Sequence, residues 1–431
     1  MRRAAFALIF LLSLPVDGAR LPVSDAILDA LVLDAISNNF DLRVAAARVR
    51  EERALRGITA ARGKPQAAAL ASAAEFQRSL AVPGFGDRRQ DVYDVGFDAS
   101  WEIDLFGGIR RDVEAAVAQV QATDEQRRDV EITLIAEVAR NYVELRGAQK
   151  RLDVLDARIQ TLRETLDMVR ARQQGGLTND LDVARSEALL DDTLASRPSL
   201  EYASAAAMHR LAVLSGRQPQ ELAERLTTHA PIPSAQAEIS AGVPLDIIER
   251  RPDIRRAERE LAAATARIDV ARADLYPRVA LFGGFGRRSD STSDLLRPVS
   301  GYWSIGPAIQ WPLLTGGRVR AQIDAKRARR DEAEAEFRQT ILRAMEEVEN
   351  SVAGYSRDQN ERDRLAHAVS AESRAVDLAD SRYRAGLDSF LAVLDAQRTL
   401  RDGEDRLAAA ETRVAVSAIS LYKSLGGGVI P

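Results

Sequence analysis

The chain has 431 residues, 46% hydrophobic and 29% charged, with a formal net charge of -4. It is long enough for large buried surfaces and has no basic excess, which argues against a nucleic-acid partner. Cys is absent and the three histidines, His209, His229 and His367, lie far apart, so the sequence offers no zinc-site spacing, thiol nucleophile or disulfide framework; no catalytic, cofactor or metal site is expected.

Residues 1–18 read as an export signal: Arg2 and Arg3, an apolar run from Ala4 to Leu14, then Pro15 and Val16-Asp17-Gly18 before Ala19, with cleavage expected after Gly18. An N-terminal anchor is the alternative, but eleven apolar residues fall short of the ~20 that a spanning helix needs. No later apolar run approaches that length, so a membrane crossing has to use β-strands.

A first unit covers residues 19–216. It opens with a helix over 24–62 and Pro65, continues with strands over about 66–80 and 91–104, and then enters a very long helix over 108–173. A Gly-Gly turn and a returning helix over 179–216 complete it. Residues 217–243 form a Pro-containing linker, expected to be an equatorial region. The second unit, 244–426, repeats the order: a helix over 245–273, Pro277, strands over about 278–288 and 302–313, a long helix over 317–385 and a returning helix over 389–425, with 427–431 as a tail.

The two units are copies. At an offset of 210, Trp101 falls on Trp311, Arg110 on Arg320, Gly176-Leu177 on Gly386-Leu387 and Gly216 on Gly426; upstream the offset is 212, pairing Asp41-Leu42-Arg43 with Asp253-Ile254-Arg255 and Pro65 with Pro277.

In the second strand Tyr93, Val95, Phe97, Ala99, Trp101 and Ile103 alternate with Asp94, Gly96, Asp98, Ser100, Glu102 and Asp104, giving one apolar and one acidic face. The fourth strand repeats this with Trp303, Ile305, Pro307, Ile309 and Trp311. Tyr93/Trp101 and Trp303/Trp311 are each eight residues apart, about 26 Å along a strand or roughly 20 Å vertically after a ~40° tilt, the separation of two aromatic girdles in a membrane barrel. A half-buried sheet in a soluble domain is the alternative. Four strands cannot close a barrel, since membrane barrels start at about eight, so a barrel requires an oligomer.

The long helices run to about 100 Å each at ~1.5 Å per residue. Leu152, Leu155, Ile159, Leu162, Leu166 and Val169 form a heptad-like seam, as do Ile341, Met345, Val348, Val352 and Tyr355; Val393, Leu400, Leu407, Val414 and Leu421 recur every seven residues. The remaining faces are rich in Ala, Arg, Asp and Glu, which suits the wall of a water-filled tube, with a plain coiled-coil stalk as the alternative.

Several stretches resemble the outer-membrane channels of tripartite drug efflux pumps, TolC-like and of the OprM and NodT type. They are Trp101 to Gly107, Glu249-Arg250-Arg251-Pro252-Asp253-Ile254-Arg255, Ile268 to Pro277, Arg382 to Gly386, Leu391 to Gln397 and Leu421 to Gly426, in the family's order across nearly the whole mature chain. The resemblance implies a mainly α protein with a β-barrel portion: a homotrimer with a twelve-stranded barrel in outer-membrane lipid, continued by a periplasmic α-helical barrel. It implies passive export, without catalysis, from an inner-membrane pump of the RND type through a periplasmic adaptor.

The resemblance places the tunnel's far end where the long helices turn. Gly175, Gly176 and Leu177, with Ala385, Gly386 and Leu387, form the tips that meet the adaptor. Asp182 and Tyr383 match partners in a latch between neighbouring coiled coils, and Asp395 matches an acidic ring at the constriction. The second latch and second ring do not match, because their positions hold Asp388, Leu181 and Ala392. Relatives also begin with a lipid-bearing Cys, which is absent here; either the barrel alone holds the protein or the start of the reading frame is misassigned. Two further readings stay open: the exit duct of a type I protein-secretion system, and a non-conducting periplasmic scaffold.

Overall fold

The computed structural model describes residues 21–23, 25–79, 81, 89–235 and 250–427. The expected export signal, the second part of the linker and the tail after residue 427 lie outside the described residues. The chain divides into two compact units, one of Met1–Arg43, Arg128–Pro252 and Ile341–Pro431, the other of Val44–Arg127 and Asp253–Thr340.

The helices begin with α1 (Ala26–Asn38), whose first turn is capped by Asp25 accepting from the Ile27 and Leu28 N–H groups. The single helix expected over 24–62 is broken at Asn39, before α2 (Phe40–Ala61). Asn39 has an extended backbone, its side-chain oxygen accepts from the Leu42 N–H and its amide donates to the Leu214 carbonyl. A buried Asn that serves both a new helix start and a distant helix end outcompetes the i→i−4 bond.

α3 (Gly108–Gln174) is the first long helix. The returning helix expected over 179–216 is two, α4 (Asp180–Ala195) and α5 (Arg197–Leu214), joined at Ser196. Pro198 is the cause, since it has no N–H to offer the preceding turn. A short α6 (Ala223–Leu226) lies in the linker, whose described part is strapped to α3: Gln149 donates to the Leu226 carbonyl at 2.7 Å, Arg146 to the Thr228 carbonyl at 2.8 Å, and His229 meets Asp153 at 2.6 Å. His229 thus has a structural partner. Around these contacts Leu28, Leu31, Val138, Tyr142, Leu145, Leu211 and Leu226 form the main core.

In the second unit α7 (Pro252–Ala273) precedes the sheet. The strands β1 (Gln66–Gln77), β2 (Arg89–Ile103), β3 (Arg278–Ser289) and β4 (Gly301–Gln310) form an antiparallel meander in that order. The pairing of β2 with β3 sets the two sequence repeats side by side. The fourth strand, expected to reach 313, ends at Gln310 because Pro312 cannot continue a ladder.

α8 (Arg318–Arg384) and α9 (Phe390–Ser424) complete the chain. All six residues of the α3 seam are buried, as are Val393, Leu400, Val414 and Leu421 of α9. The α8 seam is less regular: Val348 and Tyr355 are buried, Met345 is exposed, and Ala344 takes a closely packed place. Arg251, just before α7, donates to the Ser424 carbonyl at 2.6 Å and to Glu347 at 2.7 Å. It therefore satisfies a carbonyl at the end of α9 that the helix itself cannot, which gives the Arg-Pro pair at 251–252 a structural purpose.

Candidate functional site

The sheet exposes one apolar face. Register places Ala69, Phe97, Phe285 and Trp303 in one row across the four strands, and Ala67, Ala99, Gly283 and Ile305 in the next row of the same face. Phe97 and Phe285 stack at 5.3 Å. Trp303 is 77% exposed, Ile305 and Ile309 69% each. No described part of the chain covers these large side chains, as a soluble half-buried sheet would require. Among the described residues no helix is long and apolar enough to cross a membrane.

The four aromatic residues expected to form two girdles are placed as follows. Tyr93 and Trp101 of β2 and Trp303 of β4 share the apolar face, but Trp303 is level with Phe97, four residues along β2 from Tyr93. Trp101 and Trp311 occupy equivalent places in the two repeats: the Trp101 indole donates to the Gly63 carbonyl at 3.0 Å and the Trp311 indole to the Leu275 carbonyl at 3.2 Å. Each carbonyl lies two residues before the repeat's Pro, Pro65 or Pro277. The duplicated tryptophans therefore pin the same helix-to-strand junction twice, with the polar N–H satisfied and the ring surface outward.

The opposite face is less uniformly acidic than the alternation suggests. Asp104 lies past the strand and caps α3, accepting from the Ile109 and Arg110 N–H groups at 3.2 and 2.8 Å. Asp94 is buried under Arg288, with which it pairs, and accepts from the Tyr302 hydroxyl at 3.0 Å. Tyr302 reaches across because Gly96 and Gly286 leave room: a Cβ on either would come within 3.0 Å of its hydroxyl. This clasp over three strands was not anticipated; its signal is the alignment of glycines on neighbouring strands.

The two helical tips are near duplicates. The Leu177 N–H bonds the Arg172 carbonyl at 2.8 Å and the Leu387 N–H bonds the Arg382 carbonyl at 2.9 Å, with Gly176 and Gly386 at φ +73° and +71°. This is the six-residue helix stop that a left-handed glycine permits. Gly175 and Ala385 precede these glycines. The following leucines remain 70% and 67% exposed, so each tip displays an apolar residue.

Around the tips, two acidic residues find local partners. Asp182 takes a hydrogen bond from the Thr178 hydroxyl. Asp388 is gripped by both Nε and Nη2 of Arg382, and that guanidinium holds its carboxyl below the usual range. Asp395 is exposed on α9. Tyr383 is 6% exposed and its hydroxyl has no partner, so the Asp182–Tyr383 bond implied by the resemblance is not made. Instead the Tyr383 ring packs against Phe390 at 5.2 Å and lies 4.5 Å beneath the Arg172 guanidinium, beside Val169, Val393 and Leu394. Arg172 is the residue that sequence spacing missed: at the end of a helix it reads as a dipole partner, and only the fold brings it onto Tyr383. No group of three or more His, Asp or Glu side chains converges among the described residues.

An exposed apolar sheet face joined in one chain to two paired helical hairpins defines the class of outer-membrane channels. The pattern of the Outer membrane efflux protein family matches residues 31–217 and 243–427, and the chain belongs to that family. The solvent efflux pump outer membrane protein SrpC of Pseudomonas putida is 34% identical, covering 94% of this chain and 86% of its own length. Nodulation protein T of Rhizobium leguminosarum bv. viciae is 30% identical, covering 94% and 83%. Among solved structures, the outer-membrane channel OprN superposes with a TM-score of 0.88 at 37% identity, covering 94% of this chain and 91% of that one. The open state of the Neisseria gonorrhoeae channel MtrE superposes with 0.80 at 28%, covering 97% and 94%. The protein is an outer-membrane exit duct of an efflux system.

Proposed function

We propose that three copies of this chain pool their sheets into a twelve-stranded barrel in outer-membrane lipid and their helices into a periplasmic tunnel. Small solutes then pass outward passively from an inner-membrane pump and adaptor. The observation that carries this reading is the four-stranded sheet with an apolar exposed face and two outer strands, β1 and β4, that are each paired on one side only. Open edges buried in lipid would strand unsatisfied backbone groups, whereas closure with further copies satisfies them. Trp101 and Trp311, at the two helix-to-strand junctions, then supply one band of interfacial aromatics, Tyr93 faces the opposite interface, and Trp303 lies between them on the lipid-facing side.

The tips, with Leu177 and Leu387 outward, form the apolar contact for the adaptor. Asp395 faces the pore, where three carboxylates around one axis repel each other and attract cations. Asp182, Tyr383 and Asp388 lie in the gate region, where Arg172 on Tyr383 is the clamp and Asp182 is held locally by Thr178.

The test is planar-bilayer conductance of the detergent-purified protein, with its oligomeric state measured on the same preparation, comparing native protein with Asp395→Ala. Cation-selective steps whose selectivity falls in the variant are expected. A water-soluble, non-conducting oligomer would refute the conduit.

A further inference from the structure

One layer of the helical unit holds three ionisable side chains that are drawn together without bonding. Arg158 on α3 is 7% exposed, and its Nε and Nη2 groups are buried without hydrogen-bond partners. On α9 the half-buried Glu404 is near enough to act on it electrostatically. From α8, Glu372 pushes its carboxylate against the α9 backbone at Gly403, and one of its oxygens is also buried and unpartnered. A Cβ at Gly403 would collide with that carboxylate, so a glycine costly to helix α9 makes the room that Glu372 occupies.

We propose that the Arg158–Glu372–Glu404 layer is a proton-controlled lock on the packing of α3 against the α8–α9 hairpin, and thereby regulates the helical section of the conduit. This rests on the conduit reading for its functional meaning, but the lock itself is a property of the helices.

In the packing observed, Arg158 has buried donors without partners, and Glu404 acts on it through space without a hydrogen bond. A small slide of α9 that brought Glu404 onto those donors would form charge-assisted bonds, which are strong only when Glu404 is ionised. Two packings of one layer, differing in whether this pair is bonded, form a two-state element that a proton can bias.

The surroundings set the direction. Burial pushes the Glu404 carboxyl above its usual range, Arg158 pulls it down, Glu372 pushes it up and Lys150 pulls it down, with burial the largest effect. The other charges nearby are engaged: Arg401 pairs with Asp192 and Asp402, and Asp405 with Arg151. A raised carboxyl means that the observed packing binds a proton more readily than the bonded one. The observed packing is therefore favoured as pH falls through the raised value and loses ground as pH rises above it. A difference of about one pKa unit between the two packings changes their ratio up to about tenfold.

The chain has no Cys, so Gln160→Cys and Arg406→Cys, on exposed positions of α3 and α9, give a clean spin-label pair. Interspin distances at about pH 5 and about pH 8 are expected to show two populations whose ratio shifts up to about tenfold. The isosteric Glu404→Gln should hold the acid distribution at both values, and Glu372→Gln should move the shift to lower pH. A pH-independent distribution, or a shift that survives Glu404→Gln, overturns the lock. Conductance and detergent dependence of the same samples separate the two readings: steps without a distance change overturn the lock alone, and a distance change in a water-soluble, non-conducting oligomer overturns the conduit alone.

Discussion

Gly147 sits in the middle of α3, where glycine is costly, and its position in the fold explains it. A Cβ there would stand 2.8 Å from the Thr412 Cγ2 and 3.1 Å from its Cβ, with the Oγ1 nearer still. Thr412 cannot easily turn aside, because its hydroxyl donates to the Ala408 carbonyl at 2.8 Å and a β-branched side chain in a helix has few rotamers. Gly147→Ala therefore gains about 1 kcal/mol of helix propensity and loses ~1–3 kcal/mol to overpacking, a net destabilisation of about 1 kcal/mol. Thr412→Ala removes the two nearest atoms and leaves only the 3.1 Å approach, so in that background Gly147→Ala should be neutral or stabilising. The four proteins of this cycle, unfolded by denaturant in one detergent, should show a coupling of at least ~1 kcal/mol. Additive effects would refute the claim that α3 and α9 touch at this glycine.

Two further expectations concern the gate and the sheet. Arg172→Gln removes a cation–π contact of about 1–2 kcal/mol, so the ratio of closed to open channels should fall by roughly five- to thirtyfold in single-channel records; Asp182→Asn, whose carboxylate is held by Thr178, should leave the ratio unchanged. The reverse ranking would restore the latch implied by the resemblance. Tyr302→Phe keeps the ring over Gly96 and Gly286 but deprives buried Asp94 of one donor, and should lower the temperature at which the sheet unfolds in a gel-mobility assay without changing the oligomer; an unaltered temperature would show that the clasp is dispensable.

The sequence by itself determined much of this protein because its signals are periodic and local. The offset between repeats, the two-residue alternation of β2, the seven-residue seam of α9 and the glycine-leucine stops at 176–177 and 386–387 each depend on near neighbours, and backbone geometry turns such patterns directly into faces and turns. What the tertiary structure alone decided are meetings between residues far apart in the chain. Asn39 breaks a helix because it is buried against the Leu214 carbonyl, and Asp94 leaves the acidic face because Tyr302 and Arg288 cover it. Arg172 clamps Tyr383 across two hairpins, and Arg158, Glu372 and Glu404 share a layer although each looks like a solvated charge on its own helix. No spacing within one helix announces a partner on another; packing chooses it, and burial then gives the pairing its energetic weight.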